Sequence, residues 1–142
     1  MSSNRGVSPP FAHSTTALAR WSCSRFCASK YDTPRAFAGD VEALSTAIET
    51  VDAGLDRTLD RYERSFLYLP FEHAEDIAMQ ERSLALFGEL ARETGERAPL
   101  EWAEKHAVIV RRFGRYPHRN AMLGRASTPE ELAFLAQPGS SF

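Results

Sequence analysis

The stretch Asp40-Val-Glu-Ala-Leu-Ser-Thr-Ala-Ile-Glu-Thr-Val-Asp-Ala-Gly-Leu55 carries Val41, Leu44, Ile48, Val51 and Leu55 at intervals of three and four. That spacing stacks side chains on one face of an α-helix and excludes the alternation of a strand. Asp40 is placed to cap the helix start and Gly54 to end it. The same period continues outward from this stretch. A second helix is predicted over Leu59 to Leu69, with Leu59, Tyr62, Phe66 and Leu69 facing inward, and Pro70 as its stop because the ring clashes with the preceding turn. A third, from Ala74 to Thr94, turns Ile77, Ala78, Leu84, Phe87 and Leu90 inward and breaks at Gly95. A fourth runs from Pro99 to Phe113, with Trp102, His106, Ile109 and Phe113 on one side, and ends at Gly114.

A polar loop, Arg115 to Asn120, then leads to a helical turn at Ala121 to Leu123. The last helix has the clearest start in the chain: Thr128 as N-cap, Pro129 at the first position and Glu131 completing a capping box. Leu132, Phe134 and Leu135 follow, and Pro138-Gly139 closes the helix. With no strand pattern and no glycine-rich phosphate loop, the expected fold is all-α. It is an antiparallel array of about five helices joined by short connections.

Composition bounds the function. Of 142 residues, 43% are apolar and 25% charged, enough to build one buried core. A net charge of −2 supplies no global attraction to nucleic acid or anionic membranes, so neither is an expected partner. No apolar run approaches the roughly 20 residues that span a bilayer, and a cytoplasmic protein is expected. Cys23 and Cys27 lack the second pair of ligands a zinc site needs, so no metal or cofactor is expected. Charge also divides the chain. Residues 1–31 hold four bases and no acid, while the remainder holds 13 bases and 19 acids. The first segment is serine-rich and has no apolar period, which predicts a disordered or aberrant segment over 1–32 and a helical domain over 33–142. An organellar targeting peptide is a second reading of such a start, and a shifted reading frame or wrong start codon in place of a helical N-terminus is a third.

Two long polar motifs carry a resemblance. The first is Phe66-Leu-Tyr-Leu-Pro-Phe-Glu-His-Ala-Glu-Asp76, continued by Gln80-Glu-Arg-Ser83. The second is Arg112-Phe-Gly-Arg-Tyr-Pro-His-Arg-Asn-Ala-Met-Leu-Gly-Arg125, followed by Ser127-Thr-Pro-Glu-Glu-Leu-Ala-Phe-Leu135 and the ending Pro138-Gly-Ser-Ser-Phe142. Together they are similar to the C-terminal two thirds of the domain-of-unknown-function family 924. The resemblance implies a bacterial, tetratricopeptide-like helical repeat fold and no particular reaction. It also implies that helices preceding Thr33-Pro-Arg-Ala-Phe37 are missing or scrambled. Loss of their cover would leave an apolar face on Val41 to Leu69 open to self-association.

Two polar groups stand out. Arg111, Arg112, Arg115, His118, Arg119 and Asn120 concentrate positive charge, and arginine forks suit carboxylates or phosphates. Glu72, His73, Glu75 and Asp76 form an acidic turn at a helix start, where the helix dipole already favours them. The leading expectation is a binding or interaction module in which these two loops line a groove for a peptide, a protein or a small anionic ligand. Glu72, His73, Glu75, Asp76, Arg112, Arg115, His118, Arg119 and Asn120 are its candidate binding residues. The alternative is a hydrolase-type enzyme. There His73 or His118 is the base, Glu75 or Asp76 orients it, and Arg115 or Arg119 holds substrate charge. His73, Asp76 and His118 are its candidate catalytic residues. His106 is expected as a hydrogen-bonded core histidine beside Trp102.

Overall fold

The computed structural model describes residues 37–140, and the protein is all-α over them, with five α-helices and no strand. Helix α1 spans Asp40–Asp52, α2 Arg61–His73, α3 Ile77–Thr94, α4 Ala98–Phe113 and α5 Pro129–Leu135. Short 3-10 turns lie at Leu55–Thr58 and Pro117–Arg119. Helix α3 packs on both α2 and α4, while α1 packs on α2. The core they enclose is built from Leu67, Tyr68, Phe71, Leu86, Phe87, Leu90, Ala103, Ala107 and Val110.

Local chemistry explains each boundary. Asp60 caps α2 through the backbone N–H groups of Tyr62 and Glu63, and Glu63 returns a bond to the Asp60 N–H, a capping box. Asp76 caps α3 by accepting from Met79 N–H at 2.9 Å. Thr128 and Glu131 form the expected box at α5. Gly95 and Gly114 end α3 and α4 with φ of 78° and 71°, a backbone region that penalises any side chain.

Pro70 does not stop the second helix. It sits inside α2, which runs on to His73. The ring removes one N–H, and the carbonyl that loses its partner belongs to Phe66, which lies on the exposed side of the helix. Glu72 and His73 therefore close α2 instead of opening α3, and α3 starts at Ile77 instead of Ala74.

The buried faces are also rotated from those expected. Val41, Leu55, Tyr62, Phe66, Ile77 and Trp102 are exposed, Val41 to 81%. Helix α1 turns the small Ala43 and Ala47 inward, and α2 buries Arg64, Leu67, Tyr68, Phe71 and Glu72. In α2 the more mixed of two apolar stripes is buried, because its polar members have partners. Tyr68 donates to the buried Asp56 carboxylate at 2.6 Å and accepts from Arg64 Nε at 3.0 Å. Arg64 pairs in turn with Glu93 of α3, and Arg57 bonds Glu89 and Glu93 at 2.6 and 3.0 Å. Tyr68 also meets Phe87 edge to face with ring centroids 5.6 Å apart.

Replacing Tyr68 with Phe leaves the buried Asp56 carboxylate without its donor. Urea unfolding is expected to show a loss of about 1.5–3 kcal/mol for Tyr68→Phe. The exposed Tyr62→Phe should change stability by less than about 0.5 kcal/mol.

Candidate functional site

A helix leaves its last carbonyls without partners, and those of α2 finish inside the protein. They are met by side chains from distant parts of the chain. The Gln80 amide of α3 donates to the carbonyls of Glu72 at 2.6 Å and Ala74 at 2.8 Å. The Tyr116 hydroxyl, which follows α4, donates to the same Glu72 carbonyl at 2.5 Å and lies 2.9 Å from the Gln80 amide. Arg119 donates to the His73 carbonyl at 3.1 Å. Gln80 and Tyr116 are both fully buried.

Around this junction the polar side chains gather. His106 places Nδ1 2.8 Å from the Trp102 carbonyl and 3.1 Å from Glu72 Oε1. His73 Nε2 lies 4.0 Å from that same oxygen. Ring centroids run His73 to His106 at 5.6 Å, His106 to Tyr116 at 5.7 Å and Tyr116 to His118 at 5.6 Å. Burial pushes the Glu72 carboxyl up to about 7. It pushes His73 down to about 3, with His106, Arg119 and His118 adding repulsion. His118 is pushed down to about 4 by burial, then by Arg119 and His106. Burial therefore favours the uncharged form of all three side chains.

Glu72 also forms part of a cleft of about 250 Å³ between α2, α3 and α4. Its other walls are Ser65, Phe66, Leu69, Phe87, Pro99 and Trp102. The lining is overwhelmingly apolar, with Phe66 and Trp102 exposed at its mouth.

The other expected residues are engaged within the fold. Arg115 grips the buried Glu131 carboxylate at 2.7 and 2.9 Å, and Asn120 bonds Glu131 at 3.2 Å. Arg112 pairs with Glu130 on the surface. Glu75 accepts from Tyr116 N–H at 2.7 Å and pairs with Arg125 at 2.5 Å. Arg119 stacks between the Phe37 and Tyr116 rings and faces Asp40 at 3.6 Å. Asp76 is exposed and serves as the α3 cap. The structure thus brings His73, His118, Glu72 and Arg119 to one junction. It keeps Asp76, Arg112 and Arg115 apart from it.

The residues Arg115 to Asn120 are not a polar loop. Tyr116 and Pro117 are buried, and Pro117–Arg119 forms a 3-10 turn. Sequence reasoning missed Gln80, Tyr116 and Arg125. Gln80 had a signal, since it shares the helical spacing of Ser83, Phe87 and Leu90, so a polar group falls on the inward face.

With this geometry in place, comparison with known proteins adds a frame. A family described as bacterial protein of unknown function (DUF924) matches residues 25–139, beginning upstream of the motif-based boundary at 33. A solved structure of a protein of unknown function from Agrobacterium tumefaciens is 43% identical, with a TM-score of 0.64. The match covers 73% of this chain and 56% of that one, so this chain spans little more than half the length of that relative. No curated protein matches.

The Arg115–Glu131 pair carries a pH signature. The Arg115 hydrogen bond, the Thr128 N–H and Asn120 hold Glu131 down at about 2, against an ordinary 4.5. Its stabilising contribution is therefore complete above pH 4.5 and is lost as pH falls toward 2. Glu131→Gln is expected to cost about 3 kcal/mol at pH 7. Chemical denaturation across pH should show the gap from wild type closing in that acid window.

Proposed function

From a chain that belongs to this family of bacterial proteins of unknown function, we propose a helical binding module that takes an apolar side chain of a peptide or protein in the cleft between α2, α3 and α4. The single observation that carries it is the cleft itself. Phe66, Leu69, Phe87, Pro99 and Trp102 make an open apolar wall, with Ser65 and Glu72 as its polar residues. Apolar concavities with few fixed polar groups are the usual form of a binding site. A partner presenting an aromatic or aliphatic anchor would bury Phe66 and Trp102, which the fold leaves exposed.

The same reading takes residues 33–142 as the domain and the successive helix pairs as a tetratricopeptide-like array acting in the cytoplasm. No described helix is long and apolar enough to cross a membrane. The arginine groups contribute less to this reading than the residue types suggest. Arg112, Arg115, Arg119 and Arg125 all spend their forks on Glu130, Glu131, Glu75 or backbone oxygens, so a small anion would have to displace internal bonds. The hydrolase alternative keeps the His73–His106–His118 junction, yet its acid partners Glu75 and Asp76 are occupied elsewhere.

Screening a library of short dye-labelled peptides against the full chain by fluorescence anisotropy tests the proposal. Peptides with an aromatic or aliphatic anchor are expected to bind. Phe66→Ala and Trp102→Ala should each weaken them about tenfold or more, with little loss of stability because both side chains are exposed. Binding that survives both changes but is lost in Arg112→Ala would move the site to the arginine surface.

A further inference from the structure

Three side chains at the junction have the composition and spacing of a metal-ligand set. Glu72, His73 and His106 each bring one ligand-capable atom to within 4.8 Å of the other two. Glu72 Oε1 is the common vertex, 3.1 Å from His106 Nδ1 and 4.0 Å from His73 Nε2. A zinc ion holds nitrogen and oxygen ligands at about 2.0–2.2 Å in tetrahedral directions, which sets ligand atoms roughly 3.4 Å apart. The two observed separations bracket that edge, so small side-chain rotations would close a shell.

We propose that Glu72, His73 and His106 form a binding site for a divalent cation of the zinc class. Two imidazoles and one carboxylate suit zinc, cobalt, nickel or copper. They do not suit calcium or magnesium, which want oxygen throughout. Three protein ligands leave a further position for solvent or a bound group, the arrangement of catalytic rather than structural zinc sites.

The framework around the set supports this assignment. Glu72 and His73 sit on the last turn of α2, the turn whose carbonyls Gln80, Tyr116 and Arg119 hold in place. His106 comes from α4, oriented by the Trp102 carbonyl. Nδ1 is both the atom that faces Glu72 and the one bonded to that carbonyl, so an ion bound at Nδ1 would take the place of the Trp102 bond. Glu72 belongs both to the triad and to the cleft wall, which supplies a route in for the ion. Arg119, a positive charge that acts on His73 and His106, is held against Asp40 at 3.6 Å. The ordinary reading is a buried hydrogen-bonded cluster in which Glu72 and His106 merely satisfy each other. The proposal does not depend on what the cleft binds, since the ion can be titrated alone.

The test uses the full chain after chelator treatment, with Cys23→Ser and Cys27→Ser so that thiols do not compete. Zinc chloride titrated calorimetrically should give one saturable site per chain. Cobalt(II) should develop the visible absorption of a low-coordinate nitrogen and oxygen site, and magnesium should give no heat. His73→Gln, whose side chain is partly exposed, and His106→Gln should each weaken zinc at least tenfold while circular dichroism stays helical. Glu72→Gln should do the same and shift the cobalt spectrum. Absence of saturable uptake by the folded chain overturns the proposal. So does uptake of equal affinity in folded His73→Gln and Glu72→Gln.

Discussion

The carbonyl oxygens at the end of α2 are the constraint on which the remaining structure depends. A helix that ends in solvent leaves them to water, and many helices turn away through a glycine in the left-handed region. Helix α2 has neither exit. It ends at His73, Ala74 follows in extended backbone, and Phe71 and Glu72 are buried. An unmet carbonyl there would cost about 1–3 kcal/mol, and several in one place would exceed what a domain this size can spare. Gln80, Tyr116 and Arg119 meet them, from α3 and from the turn after α4. Three separate pieces of chain are thereby fixed on one point.

The same arrangement explains the chemistry of the junction. Holding the last turn of α2 in the interior carries Glu72 and His73 inward with it, where His106 of α4 already lies. Burial then moves Glu72 up and both His73 and His106 down. Next to it, a second polar knot closes the C-terminal part. Glu131 serves simultaneously as the α5 capping residue, the partner of Arg115 and an acceptor for Asn120. Phe113 and Phe134 pack at 5.1 Å beside it. Most of the arginine charge that marks this region in the sequence is consumed in building it.

Helix number, the glycine ends of α3 and α4 and the α5 capping box were legible because each depends on neighbours within a few positions. Thr128 and Glu131 are three apart, and their box forms as read. The inward faces were less legible. Tyr62 and Phe66 follow the helical period as faithfully as Leu67, Tyr68 and Phe71, and the choice between them rests on Asp56 and Glu93, residues outside the helix. Pro70 misled for a related reason, since a proline is tolerated where the carbonyl it strands lies on the exposed side. His73 and His118 were picked out from residue type alone. Tyr116 and Gln80, which join them, lie 36 positions apart and carry no local signature of their contact. The expected features of residues 1–36 and 141–142, including Cys23, Cys27 and the final Phe142, fall outside the described residues.

The central claim is that Gln80 and Tyr116 act as one cap on the end of α2. A double-mutant cycle of Gln80→Ala and Tyr116→Phe, followed by urea unfolding at neutral pH, measures it directly. Residues sharing one hydrogen-bond network couple by about 0.5–3 kcal/mol, and a coupling energy of about 1 kcal/mol or more is predicted here. Losses that simply add, with each single change costing little, would mean that the carbonyls of α2 find other partners and that the junction is not what holds the fold.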